Sequence, residues 1–263
     1  NVSFQDLVGL DQKVQYFILH RHQNPGPMIV YFSLIETLEK FSYEISRLNI
    51  PHWRYHSRLP SRDRRTVQDQ FFKSNDGLIL ATPAFGLGID KQDIRSIVHA
   101  EIPGSIEAFY QEIGRAGRDS LPANCLLLYD EDDVSIQMDF MKWANPDPGF
   151  VRTVYRLIKN NQSRVNAEGL DYLRQQMNFY NSRDFRLETA INLLERWDCL
   201  EVNPARSLFA ALEEPPTEFL SQEGYDQRLK SQRQKLLDMV QLVKREKSPS
   251  ENVKDTIYKY FGL

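Results

Sequence analysis

Two short segments hold residue types that could do chemistry. In Tyr110-Gln111-Glu112-Ile113-Gly114-Arg115-Ala116-Gly117-Arg118-Asp119, two arginines stand three residues apart among glycines. That spacing sends Arg115 and Arg118 from one face of a helix end, and Gly114 and Gly117 remove bulk beside them. A pair of guanidinium forks suits the oxygens of a triphosphate. The plainer reading is a solvated basic helix end closed by glycine. The second segment is Thr82-Pro83-Ala84-Phe85-Gly86-Leu87-Gly88-Ile89-Asp90. Gly86 and Gly88 let a backbone approach a phosphate closely, and Asp90 could accept from a sugar hydroxyl. The segment follows an apolar strand, where parallel α/β sheets hold their ligands. Its plainer reading is a tight strand-to-helix turn.

Metal chemistry has little to work with. The only cysteines are Cys125 and Cys199, and neither His20-x-His22 nor His52-x3-His56 has a cysteine nearby. No metal is expected, because a closed zinc site needs four ligands. Two cysteines build no disulfide framework, and a reducing interior suits them. The phosphate-loop pattern G-x-x-x-x-G-K-[S/T] does not occur in the sequence.

The elements that must position these segments alternate. Strands are expected at 28–32, 52–55, 78–81, 96–99 and 125–129. Helices are expected at 35–48, 60–73, 106–113 and 134–143. Met28-Ile29-Val30-Tyr31-Phe32 is unbroken apolar chain, the mark of a strand buried on both faces. Such alternation implies an α/β fold, a mostly parallel sheet flanked by helices. Asn145-Pro146-Asp147-Pro148-Gly149 is a turn cluster and marks a boundary. Three helical stretches follow, at 150–159, 168–177 and 185–197, and then two strand candidates, 199–202 and 207–212. Three helices and a two-stranded ribbon is the order of a winged helix. Glu213-Glu214-Pro215-Pro216-Thr217 is an acidic linker, and helices are expected at 225–245 and 253–261. The domains are therefore read as 1–146, 147–212 and 213–263.

The chain has 263 residues, 26% of them charged and 41% hydrophobic, which fits globular domains and excludes collagen-like or wholly disordered chains. Its net charge of −3 is uneven: 1–146 and 213–220 are acidic, and 221–263 is basic. No long basic block advertises nucleic acid, although binding depends on local patches. No apolar run approaches the roughly 20 residues of a spanning helix, so no membrane is expected. The N-terminus lacks both a secretion-signal pattern and an initiator Met, which reads as an excised or processed piece. A cytoplasmic location is expected, nucleoid-associated if the source is bacterial.

Taken together, in order and about 20 residues apart, the two glycine-rich segments resemble motifs V and VI of superfamily 2 helicases, the RecQ branch in particular. Tyr55-His56-Ser57-Arg58-Leu59 with Arg65, Gln68 and Phe71 resembles that family's stretch between motifs IV and V. Asn1-Val2-Ser3-Phe4 resembles the start of its second RecA-like domain. The resemblance is strong over 1–143 and weaker over 144–263.

What it implies is the second half of a 3′–5′ DNA helicase. ATP and Mg²⁺ would be bound mainly by a first RecA-like domain of the same protein, and single-stranded or forked DNA would cross both domains. Arg118 would be the arginine finger, Arg115 its assistant, and Gln111 a residue placing the terminal phosphate or attacking water. Asp90 and Gly88 would meet the nucleotide. Thr82 and Gly86 would hold DNA phosphates, with Ser33 and His56 at loop positions able to do likewise. Arg58 stands where the family usually has Gly, and Phe32-Ser33-Leu34-Ile35 where it has a polar or basic run. In the winged-helix candidate Arg183, Arg186, Arg196 and Arg206 could face a duplex, or Glu188, Glu195, Asp198 and Glu201 could balance them. Residues 235–240 and 260–263 resemble the scaffold of the family's zinc module, whose first cysteine would fall near Asn252. The alternative function is a noncatalytic DNA- or protein-binding module with a helicase-lobe fold.

Overall fold

Strand β2 (Met28–Tyr31) is buried along its whole length and divides the core into two layers. Met28 and Val30 pack with Val14 and Phe17 of α1 (Gly9–Gln23) and with Leu38, Phe41 and Ile45 of α2 (Ile35–Arg47). Ile29 and Tyr31 pack on the other side, with Phe71 of α3 (Ser61–Lys73) and with Phe85 and Ile89. Successive side chains of a strand point to opposite faces, so a strand covered on both sides is apolar throughout. The computed structural model describes residues 1–86, 89–177, 184–203, 208–245 and 253–262.

The other strands of this sheet are β1 (Val2–Asp6), β3 (Trp53–Tyr55), β4 (Leu78–Ala81), β5 (Ser96–His99) and β6 (Asn124–Tyr129). They lie in the order β1-β6-β5-β2-β4-β3, and every pairing is parallel. Met28 stands opposite Leu78 on one side and Ser96 on the other. All strands therefore end on one edge, and the 82–90 loop leaves β4 there. This is the parallel sheet flanked by helices that the sequence leads one to expect. β1 and α1 are additional to it. The residues of β1 are only partly buried, and α1 buries Lys13 beside Val14 and Phe17, so neither shows a clean apolar period.

The chain divides into two compact units, Asn1–Gln137 with Gln234–Leu263, and Met138–Arg233. Residues 213–263 are thus not a segment of their own. The last part of α10 (Gln222–Arg245) and the whole of α11 (Val253–Tyr260) belong with the sheet. The cause is apolar burial. Met239, Leu242, Val243, Val253 and Ile257 share a core with Ile102, Ile106, Phe109, Leu127 and Tyr129. Ion pairs Lys235–Glu107 and Lys244–Glu131, each 2.8 Å, border it.

The second unit is mostly helical. Its helices α6 (Pro148–Asn160), α7 (Gln162–Glu168), α8 (Leu170–Gln176) and α9 (Arg186–Arg196) precede an antiparallel ribbon, β7 (Leu200–Asn203) with β8 (Leu208–Ala211). Helix α6 starts where the turn cluster ends: Asp147 Oδ1 accepts from the Phe150 amide at 2.9 Å, and Pro148 opens the helix. The helix expected over 168–177 is α8, and α7 before it is an additional short helix. Gly169 lies between them at φ +66°, a conformation open to glycine and costly for other residues. The core joins Val154, Tyr155, Leu173, Leu187, Leu194 and Phe209. Among the described residues no helix is long and apolar enough to cross a membrane.

Candidate nucleotide site

Helix α4 (Ile106–Ile113) starts on Ser105, whose Oγ accepts from the Ala108 amide at 3.1 Å. It ends at Gly114, and the chain doubles back. The amide of Gly117 donates to Ile94 O at 3.0 Å and that of Asp119 to Gln92 O at 3.2 Å. Gly117 has φ +65°, and a Cβ there would lie 2.9 Å from the Leu121 carbonyl oxygen, so the reversal needs glycine. Arg95 grips the Asp119 carboxylate through bonds of 2.6 and 2.7 Å. Those bonds hold the carboxyl below its usual range.

The reversal separates the two arginines. Arg115 is buried, 8% exposed, and its Nη1 donates to the Gly86 carbonyl. The Arg118 side chain is 37% exposed. Its Nη1 donates to Ile89 O at 3.1 Å and to Asp90 Oδ1 at 3.0 Å. They do not leave one face of a helix end, as their spacing suggests. Both follow the last helical residue, so helical periodicity no longer fixes where they point.

Opposite them, residues 82–86 are held mainly through their backbone. The Thr82 amide donates to Tyr55 O at 3.1 Å and the Phe85 amide to Thr82 O at 2.9 Å. The Tyr31 hydroxyl donates to Phe85 O at 3.2 Å. A Cβ at Gly86 would lie 2.8 Å from Pro83 O and 2.9 Å from Arg115 Nη2. The close approach that Gly86 permits here is to a guanidinium of the same domain. Gly88 lies outside the described residues. Gln111 is exposed on α4.

Residues 10–120 match the family described as "Helicase conserved C-terminal domain". The ATP-dependent DNA helicase RecQ of Bacillus subtilis (strain 168) is 34% identical over 139 residues, 52% of this chain and 23% of that protein. The ATP-dependent DNA helicase Q-like 5 of Arabidopsis thaliana is 43% identical over 100 residues, 35% of this chain and 11% of that protein. The first unit carries a RecQ-like helicase C-terminal domain. The mouse (Mus musculus) bifunctional 3′-5′ exonuclease/ATP-dependent helicase WRN is 36% identical over 116 residues, 44% of this chain and 8% of that protein. The chain thus spans less than a third of the length of these relatives.

Within the RecQ-like domain, two of the expected DNA contacts are already engaged by the protein. Ser33 Oγ accepts from Gln137 Nε2 at 2.8 Å, and the Ser33 and Leu34 amides donate to Glu101 Oε2 at 2.6 and 3.0 Å. A buried carboxylate thus takes the start of α2, where a helix would otherwise receive an anion. His56 is buried, and its Nε2 lies 3.0 Å from Glu39 Oε1. Thr82 is buried as well. Sequence spacing misses Glu101, Tyr31 and the buried pair His99–Glu112, whose Nε2 and Oε2 are 2.7 Å apart, because each acts between separate elements. It also misses Lys13, whose Nζ lies 2.8 Å from Asp133 Oδ2 and 2.7 Å from Ala100 O.

In the second unit Arg186 is tied to Asp184 by bonds of 2.7, 2.9 and 3.1 Å and lies over the Phe150 ring at 5.2 Å. Arg174 pairs with Glu188, and Arg196 is exposed. Arg183, Arg206 and Asn252 lie outside the described residues. Cys125 and Cys199 are free buried thiols, and burial pushes the Cys125 thiol up to about 12. Among the described residues no three His, Cys, Asp or Glu side chains converge on a metal position.

Proposed function

We propose that this chain is the C-terminal half of an ATP-dependent 3′–5′ DNA helicase, in which Arg118 is the arginine finger and the 82–90 loop is part of the track for single-stranded DNA. The observation that carries this reading is the division of labour between the arginines. Arg115 is buried and spent on the Gly86 carbonyl, whereas Arg118 is partly exposed and paired with the open carboxylate of Asp90. A guanidinium that can reach a γ-phosphate stabilises the charge built up in phosphoryl transfer. In related hydrolases such a finger contributes roughly 10³–10⁵ in rate.

In this reading ATP lies between this domain and a first RecA-like domain of the same protein, which supplies the phosphate loop. Mg²⁺ is held mainly there too, as the family resemblance implies. Gln111 and Asp90 face the nucleotide from this side. Residues 147–212, within the second unit, serve as a winged-helix region that meets DNA phosphates without reading sequence. The direction of unwinding and the DNA substrate come from the family resemblance.

The test is ATP hydrolysis by the full-length protein and by this chain, with and without single-stranded DNA. Hydrolysis stimulated by DNA in the first and absent in the second is expected. A full-length protein with no stimulated hydrolysis, or a lone chain whose steady hydrolysis is abolished by Arg118→Ala, would count against the reading.

A further inference from the structure

We propose that Tyr31 is a positioning residue which, together with Arg115, clamps two successive carbonyls of the 82–90 loop and so couples that loop to the Arg118 segment. The coupling rests on the helicase reading above, while the clamp itself does not. Tyr31 ends the central strand β2 and is 2% exposed. Its hydroxyl donates to Phe85 O at 3.2 Å, and Arg115 donates to the next carbonyl, that of Gly86. The two donors come from different elements, one from the sheet and one from the turn after α4. Fixing two consecutive carbonyls fixes the orientation of the planar peptide units that carry them.

The clamp is itself braced. His99 stands on the neighbouring strand, its ring 5.7 Å from that of Tyr31 and 5.0 Å from that of Phe109. Its Nε2 meets Glu112, three residues before Arg115. The Phe85 ring packs 4.6 Å from Tyr55 and 5.7 Å from Phe71. Burial pushes the Tyr31 hydroxyl far above its usual range, so it remains a protonated donor at any working pH. A shift of the loop on meeting DNA must therefore stretch or move Arg115. Arg115 and Arg118 share one short reversal, so the motion reaches Arg118 without a change in the helix.

Tyr31→Phe removes the one hydroxyl and keeps the ring. In this chain, amide hydrogen exchange in the 82–90 loop should quicken about three- to tenfold, the range that one neutral hydrogen bond supports. In the full-length enzyme, DNA-stimulated kcat should fall by a similar factor while KM for ATP stays unchanged. Ile29→Val, in the same strand and core layer, serves as a control for lost packing and should alter neither. Unchanged loop exchange in Tyr31→Phe overturns the clamp. Faster exchange with unaltered stimulation overturns the coupling, as does an equal loss in Ile29→Val. A wild-type enzyme without DNA stimulation overturns the helicase reading and the coupling with it, and the exchange result still decides the clamp.

Discussion

Arg118 Nη1 and Asp90 Oδ1 form an ion pair 3.0 Å long, with side chains 37% and 75% exposed. Pairs open to water contribute only about 0–1 kcal/mol. The guanidinium can therefore leave Asp90 for a more highly charged phosphate at small cost. Arg115 has no such freedom, because leaving the Gly86 carbonyl would strand a buried acceptor. On the proposed reading, the pair is a resting position for the finger.

Arg118→Lys in the full-length enzyme should keep most ATP and DNA binding and lose most turnover. Lysine supplies the charge without the planar two-point geometry. Single-turnover hydrolysis at saturating ATP and DNA is the measurement. A rate within about threefold of wild type, far short of a finger's contribution, would show that Arg118 is not the finger.

Gly86→Ala should cost about 1–3 kcal/mol, the range for forcing an extra methyl into a filled space. The new Cβ would sit 2.8 Å from Pro83 O and 2.9 Å from Arg115 Nη2. Urea denaturation of this chain measures the cost, and an unchanged midpoint would contradict the tight contact with Arg115.

Burial pushes the Asp133 carboxyl up to about 7, with Lys13 pulling it back and Glu101 and Asp130 adding to the rise. A carboxyl raised on folding adds stability that is complete below its ordinary value of 3.8 and is lost as pH climbs to about 7. Asp133→Asn does not titrate. The advantage of wild type over Asp133→Asn in urea midpoint should therefore shrink between pH 4 and pH 7.5. A gap that widens over that range would show the opposite sign of shift.

Ending the chain at Arg233 removes Met239, Leu242, Val243, Val253 and Ile257 from the core beside β6. At roughly 1.5–3 kcal/mol for each large buried side chain, the loss is comparable with the whole stability of a domain. Near-ultraviolet circular dichroism should show loss of fixed tertiary packing. An intact spectrum and an unshifted urea midpoint would show that residues 1–137 fold without the C-terminal helices.

Much of this protein is legible in the sequence because the signals are local. An unbroken apolar run such as 28–32 announces a doubly covered strand, and the 145–149 turn cluster announces the boundary at which α6 starts. The glycines also announce themselves, but not their reasons. Gly117 serves a left-handed turn and Gly86 a close approach to Arg115. α1 stays faint because its inward face carries Lys13, which is tolerable there only beside Asp133.

The sequence by itself determined the α/β class, the order of most elements and the two candidate segments, since each follows from spacing within a few residues. Only the tertiary structure decided where those residues point and what they touch. It buried Arg115 and left Arg118 open, filled the start of α2 with Glu101, and drew α10 and α11 onto the sheet domain. The partners in these contacts are 29 residues apart for Arg115 and Gly86, 68 for Ser33 and Glu101, and 128 for Lys235 and Glu107. No helix or strand period spans such distances. Outside a regular element the direction of a side chain is set by whichever distant carbonyl, carboxylate or apolar surface the fold brings beside it.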